Sequence, residues 1–284
     1  MFKKTAVLAA LSAALLLGAC SKGDNNAASQ AASDASAPVE KVYTVATDAT
    51  YAPFEYEDNG QVVGFSKDIL EAIAEKEGIK LNFANTPWEG IFATLDKGDS
   101  DIVSSSVTIT PERQSAMDFS DPYFEASQLI VVGEKGQSVQ SFADLKDRVV
   151  SVQTGTTGDL VVQKLQGADS KNIKRFENMP LALKELLSGG ADASVGDNGV
   201  VQNFVNNNPD AKLKTIKDEA FEKEYYGFAV RKNRSDDLLA KLNAGIAAIK
   251  ADGTYQKIQD KWFGGAEKAA DAAASEASAA SASK

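Results

Sequence analysis

The sequence of 284 residues has no histidine and a single cysteine, Cys20. Histidine is the side chain that most often acts as a general base near neutral pH and most often binds transition metals. Its absence excludes Ser-His-Asp and Cys-His catalytic arrangements, and we expect neither a metal site nor a cofactor. One cysteine cannot form a disulfide within the chain, so the folded part must be stabilised by packing.

Positive charge is also scarce, because 30 Lys and Arg residues stand against 40 Asp and Glu, a formal net charge of −10. Nucleic-acid binding requires a basic surface that neutralises phosphate, so this balance argues against it and against adsorption to anionic lipid. Hydrophobic residues make up 43% of the chain, which is enough to build a core. The length allows one large or two ordinary domains, and we expect a monomer.

The N-terminus has the pattern of an export signal. Lys3 and Lys4 precede a short apolar run, Ala6 to Leu17, which is followed by small residues before Cys20. The run is too short to serve well as a membrane span, so it indicates a secretory signal. The segment resembles a bacterial lipobox. This resemblance implies a signal peptide over residues 1–19, a fatty-acyl (palmitate) lipid on Cys20, and a membrane-anchored location in the periplasm or at the cell surface.

Low-complexity segments flank a denser middle. Residues 20–40 are rich in Ser, Ala, Asn and Asp and predict a flexible tether, while the Ala/Ser-rich residues 265–284 predict a disordered tail. Between them, an alternation of strand and helix patterns begins at Lys41–Ala46 and starts again at Arg148–Val152. This rhythm predicts two α/β lobes with largely parallel sheets. Small ligands commonly bind in the cleft between two such lobes.

Four segments of the middle region resemble the polar amino-acid family of periplasmic solute-binding proteins (family 3, venus-flytrap type) of ABC importers. Each segment is weak evidence alone, but all four occur in the family's order and spacing, and the resemblance covers about 41–264. The segments are Thr47-Asp-Ala-Thr-Tyr-Ala-Pro-Phe-Glu55, Asp101-Ile-Val-Ser-Ser-Ser-Val-Thr-Ile-Thr-Pro-Glu-Arg113, Asp118-Phe-Ser-Asp-Pro-Tyr123 and Asp252-Gly-Thr-Tyr255.

The resemblance implies a fold and a function. The fold is α/β, with two α/β lobes joined by a two-segment hinge, periplasmic binding protein-like (type II). Lobe 1 is expected over 41–131 plus 222–264, and lobe 2 over 132–221. The implied function is capture of a free polar L-amino acid by lobe closure, followed by delivery to an ABC permease in the cytoplasmic membrane.

A free amino acid is a zwitterion, so its site must bind one carboxylate and one ammonium. Arg113 is suited to the carboxylate, because a guanidinium forms two parallel hydrogen bonds to it. The loop 154–158 precedes a predicted helix, whose first N–H groups and dipole favour the same anion. Taken singly, this arginine also fits an exposed helix start, and the loop lacks the ending of a phosphate-binding loop.

The resemblance assigns the remaining roles. It implies that Thr108 contacts both ends of the ligand, that Asp197 and the carbonyl of Ser106 bind the ammonium, and that Tyr51 and Trp88 flank the ligand side chain. The predicted ligand-binding residues are Asp48, Tyr51, Trp88, Ser105, Ser106, Thr108, Arg113, Gln153, Thr156, Thr157 and Asp197.

The ligand side chain stays open between basic and neutral polar. Members of the family that bind cationic amino acids often have Asp where this chain has Ser66, which weakens the case for lysine or arginine. Three acidic residues near the expected pocket, Asp48, Glu55 and Glu89, favour a basic ligand instead.

Two other classes of function fit the same resemblance. One is a cyclohexadienyl dehydratase-like enzyme, which needs a general acid beside the leaving hydroxyl. Asp197 is the obvious candidate, but pairing with an ammonium would keep it ionised, so we expect no enzyme activity. The other class is a surface adhesin or sensor built on the same fold.

Overall fold

The structure is a computed structural model, and it describes residues 41–264. The predicted signal peptide, the lipid site at Cys20, the tether and the tail at 265–284 lie outside the described residues. Within 41–264, no helix has the length and apolar character needed to cross a bilayer.

In chain order the strands are β1 (Val42–Thr47), β2 (Thr50–Tyr51), β3 (Glu55–Asp58), β4 (Gln61–Val63), β5 (Lys80–Asn85), β6 (Ile102–Val103), β7 (Met117–Phe119), β8 (Phe124–Ala126), β9 (Gln128–Val132), β10 (Val150–Gln153), β11 (Ile173–Phe176), β12 (Ala193–Asp197), β13 (Lys214–Ile216), β14 (Glu224–Tyr226) and β15 (Ala229–Arg231). The helices are α1 (Phe65–Glu77), α2 (Ala93–Lys97), α3 (Pro111–Ala116), α4 (Thr157–Gln166), α5 (Met179–Leu187), α6 (Asn198–Asn206) and α7 (Leu238–Ala251). Single 3-10 turns lie at Glu134–Gly136 and Ala143–Leu145, and residues 254–264 are helical.

The first large sheet has the strand order β5-β1-β6-β15-β7. Its parallel part is formed by β1 between β5 and β6, with Val45 opposite both Phe83 and Ile102. The end of β1 is buried on both faces, as expected for an inner strand of a parallel sheet covered by helices. The strand β15 closes the sheet antiparallel to β6 and β7.

The second large sheet has the order β11-β10-β12-β9-β13. Here β10 runs parallel to β11 and β12, whereas β9 runs antiparallel to β12 and β13. The strand β9, Gln128–Val132, therefore belongs to this sheet, although the predicted boundary leaves 128–131 in lobe 1. The chain enters the second sheet before the predicted boundary because β9 carries an apolar run, Leu129–Val132, that is buried between two neighbouring strands.

The chain passes between the two large sheets twice. It leaves the first sheet after β7 through β8, and it returns after β13 through β14. The two crossing strands pair with each other antiparallel, with Phe124 opposite Tyr226. This arrangement agrees with the predicted α/β fold with a two-segment hinge.

Helix α1 packs against α7 and covers the first sheet. Its buried face carries Ile69 and Ile73, and Gly245 of α7 gives the close approach, because a Cβ there would lie 2.5 Å from the Ile73 side chain. The sequence pattern predicts Ser66 as the N-cap, which would start the helix at Lys67, but the helix begins two residues earlier, at Phe65, and its cap is Gly64. Ser66 is instead buried in the first turn, with its hydroxyl 3.1 Å from the Tyr123 hydroxyl.

Candidate ligand-binding site

A cavity lies between the two large sheets. It is lined by residues that end or follow β1, β6, β10 and β12, the edge where α/β sheets commonly place their ligand sites. The structure brings all eleven predicted residues together around it: Asp48, Tyr51, Trp88, Ser105, Ser106, Thr108, Arg113, Gln153, Thr156, Thr157 and Asp197. Their role in binding a ligand stays a prediction.

Arg113 lies in α3, which Thr110 caps by accepting a hydrogen bond from the Arg113 backbone N–H at 3.2 Å. The guanidinium donates to the Thr108 carbonyl at 3.0 Å and to the Gly155 carbonyl at 3.4 Å. It also lies over the Trp88 ring, 5.3 Å from the centroid. Burial lowers the Arg113 pKa from its ordinary value, yet a guanidinium remains charged at neutral pH. The Arg113 guanidinium therefore places a positive charge at the cavity and contacts a loop from each of the two large sheets.

The loop before α4 lies opposite this guanidinium. Gly155 has φ of 70°, a left-handed conformation that glycine adopts without strain. Thr156 is the N-cap of α4, and its hydroxyl accepts from the Asp159 backbone N–H at 3.3 Å. The first N–H groups of a ten-residue helix therefore begin beside Arg113, and both features favour an anion.

Asp197 ends β12 and is 5% exposed. One carboxylate oxygen accepts from Gln128 Nε2 at 2.6 Å and the other from the Tyr226 hydroxyl at 2.5 Å. Burial raises its pKa to about 6, and the negative charge of Glu224 adds to the shift, while the hydrogen bonds from Tyr226, Tyr51 and Gln128 oppose it. The side chain makes no capping bond to α6, so it is available to a cation in the cavity.

Asp48 follows β1 and is 6% exposed. Its carboxylate accepts from the Thr50 hydroxyl at 2.8 Å and from Gln153 Nε2 at 3.5 Å. Burial raises the Asp48 pKa, against the effect of Thr50, of the Trp88 backbone N–H and of Gln153. All these donors are neutral, so among residues 41–264 this carboxylate has hydrogen-bond donors but no positive partner in direct contact.

Two of the acidic residues expected near the pocket lie elsewhere. Glu55 is 1% exposed and lies behind the cavity wall, and neither carboxyl oxygen has a hydrogen-bond partner of normal geometry among the described residues. Burial raises its pKa to about 8, and the hydroxyls of Ser106 and Ser66 oppose this shift without cancelling it. Glu89 is exposed and does not line the cavity.

Sequence reasoning missed Glu224, the first residue of β14. Its carboxylate accepts from the hydroxyls of Thr108 and Thr157 at 2.8 Å each and from Gln128 Nε2 at 3.0 Å. No signal in the sequence identifies it, because it stands in the polar run Glu222-Lys-Glu224 that reads as a solvated loop. Only the pairing of the crossing strands brings it to the site.

Among residues 41–264, no group of three or more His, Cys, Asp or Glu side chains is arranged to hold a metal ion. The cavity presents groups suited to both charges of a zwitterion, with Arg113 and the start of α4 for an anion and the buried carboxylates for a cation.

The family of bacterial extracellular solute-binding proteins, family 3, matches this chain over residues 43–265. The chain belongs to this family. Membership confirms the predicted family and places this solute-binding protein outside the cytoplasm, whereas the lipid on Cys20 stays a prediction.

Individual relatives of this solute-binding protein agree with the match. A probable histidine-binding protein of Neisseria gonorrhoeae is 44% identical over 264 residues, which are 92% of this chain and 96% of that protein. The ABC transporter arginine-binding protein 1 of Escherichia coli (strain K12) is 35% identical over 220 residues, 76% of this chain and 88% of that protein. Both relatives are named as binding proteins rather than enzymes.

A solved structure gives the same fold. The arginine-, lysine-, histidine-binding protein ArtJ from Geobacillus stearothermophilus superimposes with a TM-score of 0.75 at 42% identity, covering 79% of this chain and 96% of ArtJ. The predicted type II periplasmic binding protein fold is therefore confirmed.

Proposed function

We propose that this solute-binding protein captures a free basic L-amino acid by closing its two lobes and delivers it to an ABC permease. The lobes are those predicted from the sequence except that β9 belongs to lobe 2, and the lipid on Cys20 anchors the chain to a membrane. The single observation that carries the choice of a basic ligand is Asp48, a buried carboxylate that lines the cavity and has no positive partner in direct contact within the described part of the chain.

The two ends of an amino acid account for two of the charges in the cavity. The α-carboxylate pairs with Arg113 and the start of α4, and the α-ammonium pairs with Asp197. Once these two pairs form, Asp48 remains as a negative lining residue. A buried charge is costly unless it is paired, so a ligand with a positive side chain stabilises the complex and a neutral one does not.

The walls of the cavity suit a long, flat cation. Tyr51 and Trp88 both line it, and an aromatic face attracts a guanidinium or imidazolium. Ser66, which stands where many cationic binders have aspartate, is buried against Tyr123 and does not line the cavity. The lack of a charge at Ser66 therefore does not affect the pairing of Asp48 with a basic ligand.

The relatives support the same class of ligand. Those described above are named for binding histidine, arginine, or arginine, lysine and histidine. Capture by closure follows from the cavity, because Arg113 contacts the loop of the second sheet and Gln153 contacts Asp48 across the cleft. A ligand that bridges such groups binds the closed form more tightly and shifts the equilibrium toward it.

The test is calorimetric titration of the chain from residue 21 onward, freed of ligand by unfolding and refolding under dialysis. L-arginine, L-histidine and L-lysine are compared with L-glutamine. We expect at least one basic amino acid to bind more tightly than L-glutamine. Binding of L-glutamine alone would contradict the basic assignment. Failure of every free amino acid to bind would favour the dehydratase or adhesin class instead.

Asp48→Asn provides the matching variant. It should weaken binding of L-arginine by about tenfold or more, equivalent to about 1.4 kcal/mol, because the cationic side chain loses its partner. Its effect on L-glutamine should stay within about threefold. Glu89→Gln removes the same charge from an exposed position and should leave both affinities unchanged.

A further inference from the structure

Glu224 occupies a position from which it reaches both sides of the cleft. It is the first residue of β14, the strand that carries the chain back from the second sheet to the first, and it stands opposite Ala126 of β8. The neighbouring backbone is fixed as well, since Thr108 bridges to Tyr226 and Ile109 N–H donates to the Tyr225 carbonyl. The carboxylate therefore has a rigid support next to the cavity.

Two threonine hydroxyls from opposite sides of the cleft donate to one oxygen of this carboxylate. Thr108, which follows β6, and Thr157, at the start of α4, both lie 2.8 Å from Glu224 Oε2. An ionised carboxylate only accepts hydrogen bonds, and a hydroxyl has one proton to donate. The protons of both threonines are therefore held by Glu224, and only the lone pairs of their oxygens remain for a molecule in the cavity.

The second oxygen of Glu224 is linked to Asp197. Gln128 Nε2 lies 3.0 Å from Glu224 Oε1 and 2.6 Å from Asp197 Oδ1, so one amide group donates to both carboxylates. The same nitrogen is also 3.1 Å from Thr157 Oγ1. Two carboxylates and two hydroxyl oxygens thus converge on this part of the site, and each presents acceptors.

We propose that Glu224 is a positioning residue for the ligand's ammonium group, which it serves by orienting Thr108 and Thr157 as acceptors and by adding its negative charge to that of Asp197. This inference rests on the proposed function, since it concerns the same amino-acid ligand. It also revises the role implied for Thr108, whose hydroxyl serves the ammonium end and does not donate to the ligand carboxylate.

The charged and titratable groups that face this pair come from several elements. They are Tyr51 of β2, Glu55 of β3, Arg113 of α3 and Tyr226 of β14. Arg113 is the cation of this set, and it is already paired with carbonyl groups and assigned to the ligand carboxylate. An entering ammonium therefore supplies the positive charge that the two carboxylates lack.

The test compares Glu224→Gln with the unaltered chain by titration with L-arginine and L-histidine from pH 4.5 to pH 8. The control is Glu222→Gln, which removes the same charge from an exposed position on the same segment. At pH 7.5 we expect Glu224→Gln to weaken binding about tenfold or more, and Glu222→Gln to stay within about twofold.

The pH profile separates positioning from a merely structural role. Glu224 raises the pKa of Asp197, so its removal should move the loss of binding on acidification to lower pH. A uniform weakening with an unchanged profile, or no weakening, would overturn the inference while leaving the proposed function standing. If the unaltered chain binds neither amino acid, the proposed function and this inference both fail.

A second variant keeps the test valid if the Glu224→Gln protein does not fold, which circular dichroism would show. Glu224→Asp keeps the charge but shortens the side chain, so it should weaken binding and retain the pH profile of the unaltered chain. Affinity equal to that of the unaltered chain would overturn the inference, because the shorter carboxylate cannot reach both threonines.

Discussion

At the scale of single residues, this protein concentrates negative charge at its centre. Asp48, Asp197 and Glu224 lie in or beside the cavity that the Arg113 guanidinium faces, and Glu55 is buried behind its wall. Burial disfavours the charged form of a carboxyl group, and the pKa values of Asp48, Glu55 and Asp197 are all raised. Such an arrangement costs stability in the free protein and becomes favourable when a cation enters, as expected of a binding site.

Arg113→Ala should weaken amino-acid binding by at least about a hundredfold. Leaving a buried carboxylate unpaired costs about 3–5 kcal/mol, and each 1.4 kcal/mol is tenfold in affinity. Titration calorimetry measures this directly, and Arg231→Ala, at an exposed position of β15, should bind as the unaltered chain does. Near-normal affinity of the Arg113 variant would show that the site is assigned wrongly.

Glu55→Gln should flatten the dependence of stability on pH. The folded protein keeps the Glu55 proton up to about pH 8, whereas the unfolded chain loses it near the ordinary value of 4.5. Between these values the folded state holds more protons, so the free energy of unfolding falls as pH rises, by about 1.4 kcal/mol per pH unit.

Urea unfolding of both proteins at pH 6.5 and pH 8 tests this expectation. The interval lies above the Asp197 pKa of about 6, which limits the contribution of that residue. Glutamine resembles the protonated carboxyl, so the variant should lose less stability across the interval than the unaltered chain. Equal losses would mean that Glu55 is ionised in the folded protein.

At the scale of elements, local backbone demands decide where α1 begins. Gly64 has φ of 136°, and a Cβ there would lie 2.1 Å from the Phe54 carbonyl oxygen. The Ser66 N–H also donates to that carbonyl, so the start of the helix is tied to the segment before β3. The helix α2 likewise begins only at Ala93, three residues after Gly90, which has φ of 85°.

Gly64→Ala should destabilise the protein by more than the roughly 1–3 kcal/mol of an unfavourable backbone conformation alone, since a steric clash is added. Gly60→Ala is the matched control, because Gly60 also has positive φ, of 77°, but a Cβ there would meet nothing within 4 Å. Chemical denaturation gives the loss of unfolding free energy for each variant, and the difference between them measures the effect of the clash. Equal losses would show that the clash has no effect.

At the scale of the whole molecule, the two crossing strands β8 and β14 allow residues from both large sheets to line one cavity. The chain leaves and re-enters the first sheet through β8 and β14, so residues from distant parts of the sequence reach one cavity. Glu224 belongs to this hinge, and its contacts with Thr108 and Thr157 join the hinge to both walls of the cleft. We therefore expect ligand binding and lobe closure to be coupled through these side chains.

Cys20→Ser should release the protein from the membrane. Lipid anchoring depends on acylation of this cysteine, so we expect the unaltered chain in the membrane fraction and the variant in the soluble periplasmic or secreted fraction. Labelling with an alkyne analogue of palmitate checks the modification itself. If the unaltered chain is found in the soluble fraction and carries no label, the proposed anchor is wrong.

Motifs with local chemical meaning made part of this protein predictable. The alternation of strands and helices, the glycine that ends α1 and the four segments of the family pattern lie in continuous stretches, so they predict the fold class. The resemblance to the family also implies the eleven residues around the cavity, of which Asp48, Tyr51, Ser105, Ser106, Thr108 and Arg113 lie within the four segments.

The sequence by itself determined the α/β class through its periodicity and the family through its short motifs, and the resemblance to that family implied the residues that line the cavity, because these patterns are local properties of the chain. Only the tertiary structure decided the place of β9 in the second sheet, the burial of Glu55, and the meeting of Glu224 with Thr108 and Thr157. These features depend on strand pairing and desolvation between segments up to 116 residues apart, which no local pattern records.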